Sequence, residues 1–318
     1  MAYTLTHIRD WNASLKVARP DLVVLFVGGT SGIGRSTAVK LASAISRPTI
    51  YVCGRNKAAG AQVLEELKAA NEHGSYRFIA ADVSHICNVD EVCQQLESDI
   101  PALDLLFLSS GGLAFSKKEG DAKIDVNHIL RYYSRMRFIY KLLPSLEAAK
   151  SPRVVSVLAG GKEIKIEDDN LDLNKDFSIS ASTGYPATMT SLAFEVLASQ
   201  HPTINFIHVF PGIVATSILK KSMGSFMGSI LSFITKPISM PASESGEWHV
   251  FLSTSTEFHS RNASSGQPSG GSYVVNYNGK DANKKALMAQ LRAEGLPETV
   301  WKHTLDTFDR LLEVEMLS

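Results

Sequence analysis

The chain has 318 residues, 44% of them hydrophobic and 20% charged, enough to bury a large core. Its 32 basic and 32 acidic residues cancel, which argues against nucleic acid as a partner, since that role normally demands a basic face. Cys53, Cys87 and Cys93 lack metal-ligand spacing and point to a reduced, cytoplasmic setting without a metal site, and no apolar run reaches the roughly 20 residues of a membrane span.

Residues 1–20 read as a polar arm ending at Pro20, in which Arg9, Asp10, Lys16 and Arg19 leave no secretory signal. Leu22–Val27 is a first apolar strand. Gly28-Gly29-Thr30-Ser31-Gly32-Ile33-Gly34 follows it, and a helix is predicted from about Arg35 to Ala44. Strands at Thr49–Cys53, Tyr76–Ala80, Leu103–Leu108, Val154–Leu158 and Asn205–Phe210 then alternate with helices. Those helices are Asn56 to about Glu72, Val89–Leu96, Val126–Leu146 and Ser182–Ser199. Strands that are apolar throughout, each followed by a helix, mean a parallel sheet covered on both faces. After Phe210 come a long flap (about 213–241), a helix near Glu244–Leu252, a strand at Tyr273–Tyr277 and a helical tail over Lys284–Leu312. The reading is an α/β chain: one doubly wound domain over 21–280 that includes the flap, with the arm before it and the tail (281–318) after it.

The glycine loop carries the first chemical signal. Strand, glycine turn and helix in that order form a phosphate-binding elbow. Gly28 turns the chain sharply off the strand, Gly32 admits a pyrophosphate to the backbone, and Gly34 lets the helix pack on the sheet. The helix dipole then favours the anion. An NAD site places an acid about 20 residues further on, at the end of the second strand, to hold the ribose 2′-hydroxyl. This chain has Cys53-Gly54-Arg55-Asn56 there. A guanidinium pairs with a 2′-phosphate, so Arg55, helped by Arg35, points to NADP(H). Asp82-Val83, after the third strand, suits a contact to the adenine edge; an Asp there also serves as a helix cap.

With these residues the chain resembles the short-chain dehydrogenase/reductase family over about residues 21–260, and so implies a Rossmann-type fold. The loop matches the family's Gly-x-x-x-Gly-x-Gly, and Asp82-Val83 its adenine-site Asp. Ser109-Ser110-Gly111-Gly112 stands where the family has Asn-Asn-Ala-Gly. Pro211-Gly212-Ile213-Val214-Ala215-Thr216 is similar to its Pro-Gly-x-x-x-Thr segment, which implies that Pro211, Gly212, Val214 and Thr216 meet the nicotinamide end. The stretch Thr188–Glu195, with Phe206–Gly212, resembles a branch found in fungal natural-product biosynthesis. The family is often dimeric or tetrameric, which implies a homo-oligomer.

The resemblance fails at the family's proton relay: a Ser after strand five, and on the next helix a Tyr four residues before a Lys. The Ser falls on Ala159 or Leu158. Phe177 replaces the Tyr and Ala181 or Ser182 the Lys, while Tyr185 has Met189 four residues on. Hydride transfer needs only a bound nicotinamide and a nearby electrophile, so a cationic or conjugated substrate can react without the Tyr. Tyr132, Tyr133 and Phe138 at helical spacing read first as core or groove wall; Tyr133, with Arg137 four residues later to lower its pKa, is the candidate substitute acid. Lys162 and Glu163 lie at the site mouth as a solvated pair or substrate contacts, and His208 reads as a core histidine. The flap's apolar residues, among them Met223, Phe226 and Phe233, suit a bulky apolar small molecule. Three roles remain open: an oxidoreductase, a non-redox cyclase or isomerase, and a silent NADP-binding protein.

Overall fold

Seven strands form one parallel sheet in the order β7-β6-β5-β4-β1-β2-β3. They are β1 (Asp21–Val27), β2 (Arg47–Gly54), β3 (Ser75–Ala80), β4 (Leu105–Leu108), β5 (Arg153–Val157), β6 (Asn205–Phe210) and β7 (Gly271–Asn276). A computed structural model describes residues 3–112, 116–215, 239–258, 260–261, 268–269 and 271–317. The doubly wound α/β class expected from the sequence is the one found.

The register follows from alternation along β1. Leu22, Val24 and Phe26 enter the core on one face, and Leu25 and Val27 the core on the other. The first face is covered by α1 (Leu5–Ala18), α2 (Gly32–Ala44), α3 (Lys57–Ala70) and α8 (Ala242–Thr254). The second is covered by α4 (Ile86–Asp99), α6 (Ser134–Glu147), α7 (Ile179–Gln200), α9 (Lys285–Ala293) and α10 (Leu296–Leu317). A helical turn α5 (Val126–His128) and a π-helical turn (Ile129–Tyr133) lead into α6.

The expected polar arm is instead helix α1. Thr4 caps it by accepting the His7 N–H, and Ile8, Asn12 and Leu15 recur at helical spacing on the buried side. Trp11 Nε1 donates to Thr254 Oγ1 at 3.0 Å, and Asn12 Nδ2 to the Glu247 carbonyl at 3.0 Å. Burial of Ile8 and Leu15 contributes roughly 1.5–3 kcal/mol each. The tail is two helices rather than one, because Gly295 turns with a φ of +73° between α9 and α10. Its Val300, Trp301, Phe308 and Leu311 complete the core around α4 and α7.

Candidate cofactor cleft and active site

The strand order reverses between β1 and β4, and in open α/β sheets the ligand crevice lies outside the strand ends at that point. The glycine loop after β1 faces Ser109–Gly112 after β4 there. Gly28 has a φ of +86°, and a Cβ on it would lie 2.6 Å from the Ser110 nitrogen. A Cβ on Gly34 would lie 2.5 Å from Ser109 Oγ. Both glycines therefore let two backbone segments approach more closely than any side chain permits. Gly32 opens α2, with Thr30, Ser31 and Ile33 around it, so the helix N-terminus faces the crevice. Ser109 Oγ is turned to the Val27 and Gly28 carbonyls at 3.3 and 3.4 Å. Ser110 Oγ is buried without a hydrogen-bond partner among the described residues. An orphaned hydroxyl beside a glycine cradle fits a bound polar ligand.

At the other end, Arg55 leaves β2 with its side chain 77% exposed and its guanidinium 3.9 Å from Asp82 Oδ2. Asn56 is engaged as the cap of α3, accepting the Ala59 N–H at 2.9 Å. Asp82 accepts from the Ser84 N–H and hydroxyl at 3.1 and 2.7 Å. Burial pushes its carboxyl up, but the Ser84 bonds and nearby Arg55 outweigh that and leave it below the usual range. Val83 is buried beneath it. Arg35 is not the expected helper: Glu66 takes it in a two-pronged pair, with Nε donating at 2.8 Å.

Gly111 (φ +123°) and Gly212 (φ +73°), after β4 and β6, are both in the left-handed region. Pro211 and Gly212 follow β6 directly, and Val214 pairs with Met240 in a short strand. Thr216 and most of the flap lie outside the described residues.

Tyr133 does not take the role expected of it. Its ring is fully buried, and its hydroxyl donates to Asp172 Oδ1 at 2.6 Å and lies 3.0 Å from His303 Nε2. Burial, with the Asp172 charge, pushes the phenol well above its ordinary range, the opposite of what a proton donor near neutral pH needs. Arg137, expected to lower it, pairs with Asp90 at 2.6 and 2.7 Å. Phe177 is also misplaced, because α7 begins at Ile179 behind the Ser178 cap and Phe177 precedes it. Within α7 the Tyr-plus-four spacing falls on Tyr185 and Met189, both buried.

The loop after β5 carries Ala159 where a hydroxyl was sought, and a network that sequence reasoning missed. Glu163 is buried rather than solvated. Its Oε1 accepts from the Gly161 N–H at 3.0 Å and from Ser191 Oγ at 2.8 Å. Ser191 Oγ lies 2.8 Å from His208 Nδ1, and the Ala159 N–H donates to His208 Nε2 at 3.3 Å. With that tautomer every bond is consistent: Nδ1–H donates to Ser191, and Ser191 donates to Glu163. Burial lowers the His208 pKa to about 3, so the ring is neutral, and all three side chains are sealed in. The serine sits between the acid and the histidine, so the trio is a brace for the loop and not a nucleophile relay. Lys162 leans over Phe210, 5.0 Å from its centroid.

A short chain dehydrogenase family model matches residues 22–166. The chain is 39% identical to the oxidoreductase andH of Emericella variicolor, over 96% of each chain. It is 38% identical to the oxidoreductase AN1596 of Emericella nidulans, over 96% of this chain and 98% of that one. A solved structure of Pseudomonas aeruginosa RhlG with NADP superposes with a TM-score of 0.57 at 19% identity, covering 75% of this chain and 91% of that one. The chain belongs to the short-chain dehydrogenase/reductase superfamily. Its fungal relatives are named oxidoreductases.

Proposed function

We propose that the protein is an atypical NADP(H)-dependent oxidoreductase acting on a bulky, largely apolar small molecule in secondary-metabolite biosynthesis. The observation that carries the cofactor is Arg55 at the end of β2, exposed, where an NAD site holds an acid. The glycine cradle and the orphaned Ser110 hydroxyl fit the dinucleotide's backbone. When bound, the cofactor supplies hydride chemistry; the chain's part is to seat it and to shape the acceptor site. No helix among the described residues is long and apolar enough to cross a membrane, and the three cysteines are free, in keeping with a reduced compartment.

Ala159 and Met189 favour a second reading. A site without a hydroxyl after β5 and without a lysine behind Tyr185 suits a substrate that needs no proton from the protein, or a non-redox cyclisation or isomerisation in the same pocket. A titration with NADPH followed by fluorescence, then absorbance with candidate substrates, separates the readings. NADPH oxidation with turnover supports the first. Product without NADPH oxidation supports the second. Binding without turnover leaves a silent NADP-binding protein, and no NADPH affinity overturns the cofactor assignment.

A further inference from the structure

Two guanidiniums lie buried at the β4 and β5 side of the cleft, and among the described residues neither hydrogen-bonds to a carboxylate, the Asp125 charge acting on Arg131 only through space. Arg135, 2% exposed, donates through Nη1 to Ser156 Oγ at 2.7 Å and to the Val157 carbonyl at 2.9 Å, and through Nη2 to the Ser110 carbonyl at 2.5 Å. Its Nε has no hydrogen-bond partner among the described residues. Arg131, 5% exposed, sits in the π-helical turn. It donates through Nε to the Gly112 carbonyl at 3.1 Å and through Nη1 to the Ser182 carbonyl at 2.6 Å. The pair therefore ties the loop after β4 to the end of β5 and to the first turn of α7. Arg137, by contrast, pairs with Asp90, and Arg153, buried at the opposite end of β5, donates to the Leu252 and Ser255 carbonyls at 2.9 and 2.8 Å.

Unpaired buried charge is costly, and proteins keep it mainly where the site uses it. Burial and the mutual repulsion of the pair lower the Arg135 pKa to about 9, so both remain cations at neutral pH. The adenosine half of a dinucleotide runs from the glycine loop toward β2 and β3, where Arg55 and Asp82 stand. The nicotinamide half then runs the other way, over the ends of β4 and β5. Those are the strand ends that Arg135 spans.

We infer that Arg131 and Arg135 bias the cleft toward the reduced dinucleotide, so that the protein works in the reducing direction. This rests on the proposed nicotinamide cofactor. The oxidised nicotinamide ring carries a positive charge that disappears when it gains a hydride; the phosphates are the same in both forms. A fixed positive field beneath the ring therefore disfavours the oxidised form alone. Both arginines are positioning residues, acting through the loop and the field and not by contact.

The test is the ratio of the NADP+ to the NADPH dissociation constant, measured by calorimetry on the full chain, because loop damage affects both forms and cancels. The wild type is expected to bind NADPH more tightly. Arg135→Lys should keep the ratio, and Arg135→Met should lower it by roughly tenfold, the effect of a unit charge about 10 Å away at an effective dielectric near 20. Arg131→Gln, which removes the second charge, should lower the ratio in the same direction and serves where Arg135→Met does not fold. A wild type that binds NADP+ as tightly as NADPH overturns the inference without any variant. So does an unchanged ratio in either folded variant. If neither NADPH nor NADP+ binds at all, the cofactor assignment itself fails.

Discussion

The Tyr133 hydroxyl donates to Asp172 Oδ1 across 2.6 Å, and the same carboxylate accepts from Arg310 at 2.8 Å. His303 Nε2 stands 3.0 Å from it. A tyrosine read as an acid is thus the clamp between the π-helical turn and α10. Burial opposes ionisation of Asp172, but these bonds outweigh it and hold the carboxyl well below the usual range. Stability from this carboxylate is fully present above about pH 4 and is lost as the pH falls below that. Asp172→Asn should cost about 2–3 kcal/mol in urea unfolding at pH 7, with a flatter decline between pH 5 and 3. Tyr133→Phe should cost about 1–2 kcal/mol and leave NADPH affinity intact. A Tyr133→Phe protein of full stability that had lost activity would restore the catalytic reading.

Arg55→Asp should weaken NADPH binding ten- to hundredfold, the scale of one charge-assisted pair to phosphate, without a matching loss for NADH. Because the side chain is mostly exposed, the wild-type preference should also shrink as salt is added. Equal affinities for NADPH in variant and wild type remove Arg55 from the site.

Three histidines are sealed in the core. Burial lowers His208 to about 3, and His128 and His249 to about 4. The unfolded chain binds these protons near pH 6.5, whereas the folded chain does not until about pH 4 for His128 and His249 and about pH 3 for His208. Stability should therefore rise with pH across that window and level off above it, by about 1.4 kcal/mol per pH unit for each histidine. Unfolding free energies at pH 5 and 7 measure this. A change smaller than one proton's worth counts against neutral buried rings.

Glu315 caps α4 from the far end of α10, accepting the Ile86 and Cys87 N–H groups at 2.6 Å each. Burial first, then the Glu315 carboxylate, pushes the Cys87 thiol up to about 11. At pH 8 only about one thiol in a thousand is then ionised, so labelling by a disulfide reagent should be slow. Glu315→Gln should speed labelling several-fold and cost about 1 kcal/mol through the weakened cap. Wild-type labelling rates in that variant would contradict the docked position of α10.

The sheet was legible because its strands are apolar throughout: Asn205–Phe210 was expected and is found with the same bounds. Local turn chemistry was legible too, as at Gly28. The arm was misread because its three buried residues are spread over two turns, and their partners, Thr254 and Glu247, lie more than 230 positions away. The Glu163–Ser191–His208 brace was hidden because its members come from a loop, a helix and a strand that lie 28 and 17 positions apart. Phe177 was misassigned for a local reason: the start of α7 depends on the Ser178 cap, which accepts the Ala181 N–H at 3.0 Å.

The wholly parallel seven-stranded sheet also bears on how the chain folds. No two of its strands can meet through a tight hairpin, since parallel neighbours need a crossover between them. The central pairing of Val24 with Leu105 closes about 80 residues at once, and β6 meets β7 only across a span of similar length. Assembly must therefore wait on long-range encounters between preformed strand–helix units. That predicts slow refolding on the scale set by topology, with apolar strand edges exposed in the meantime.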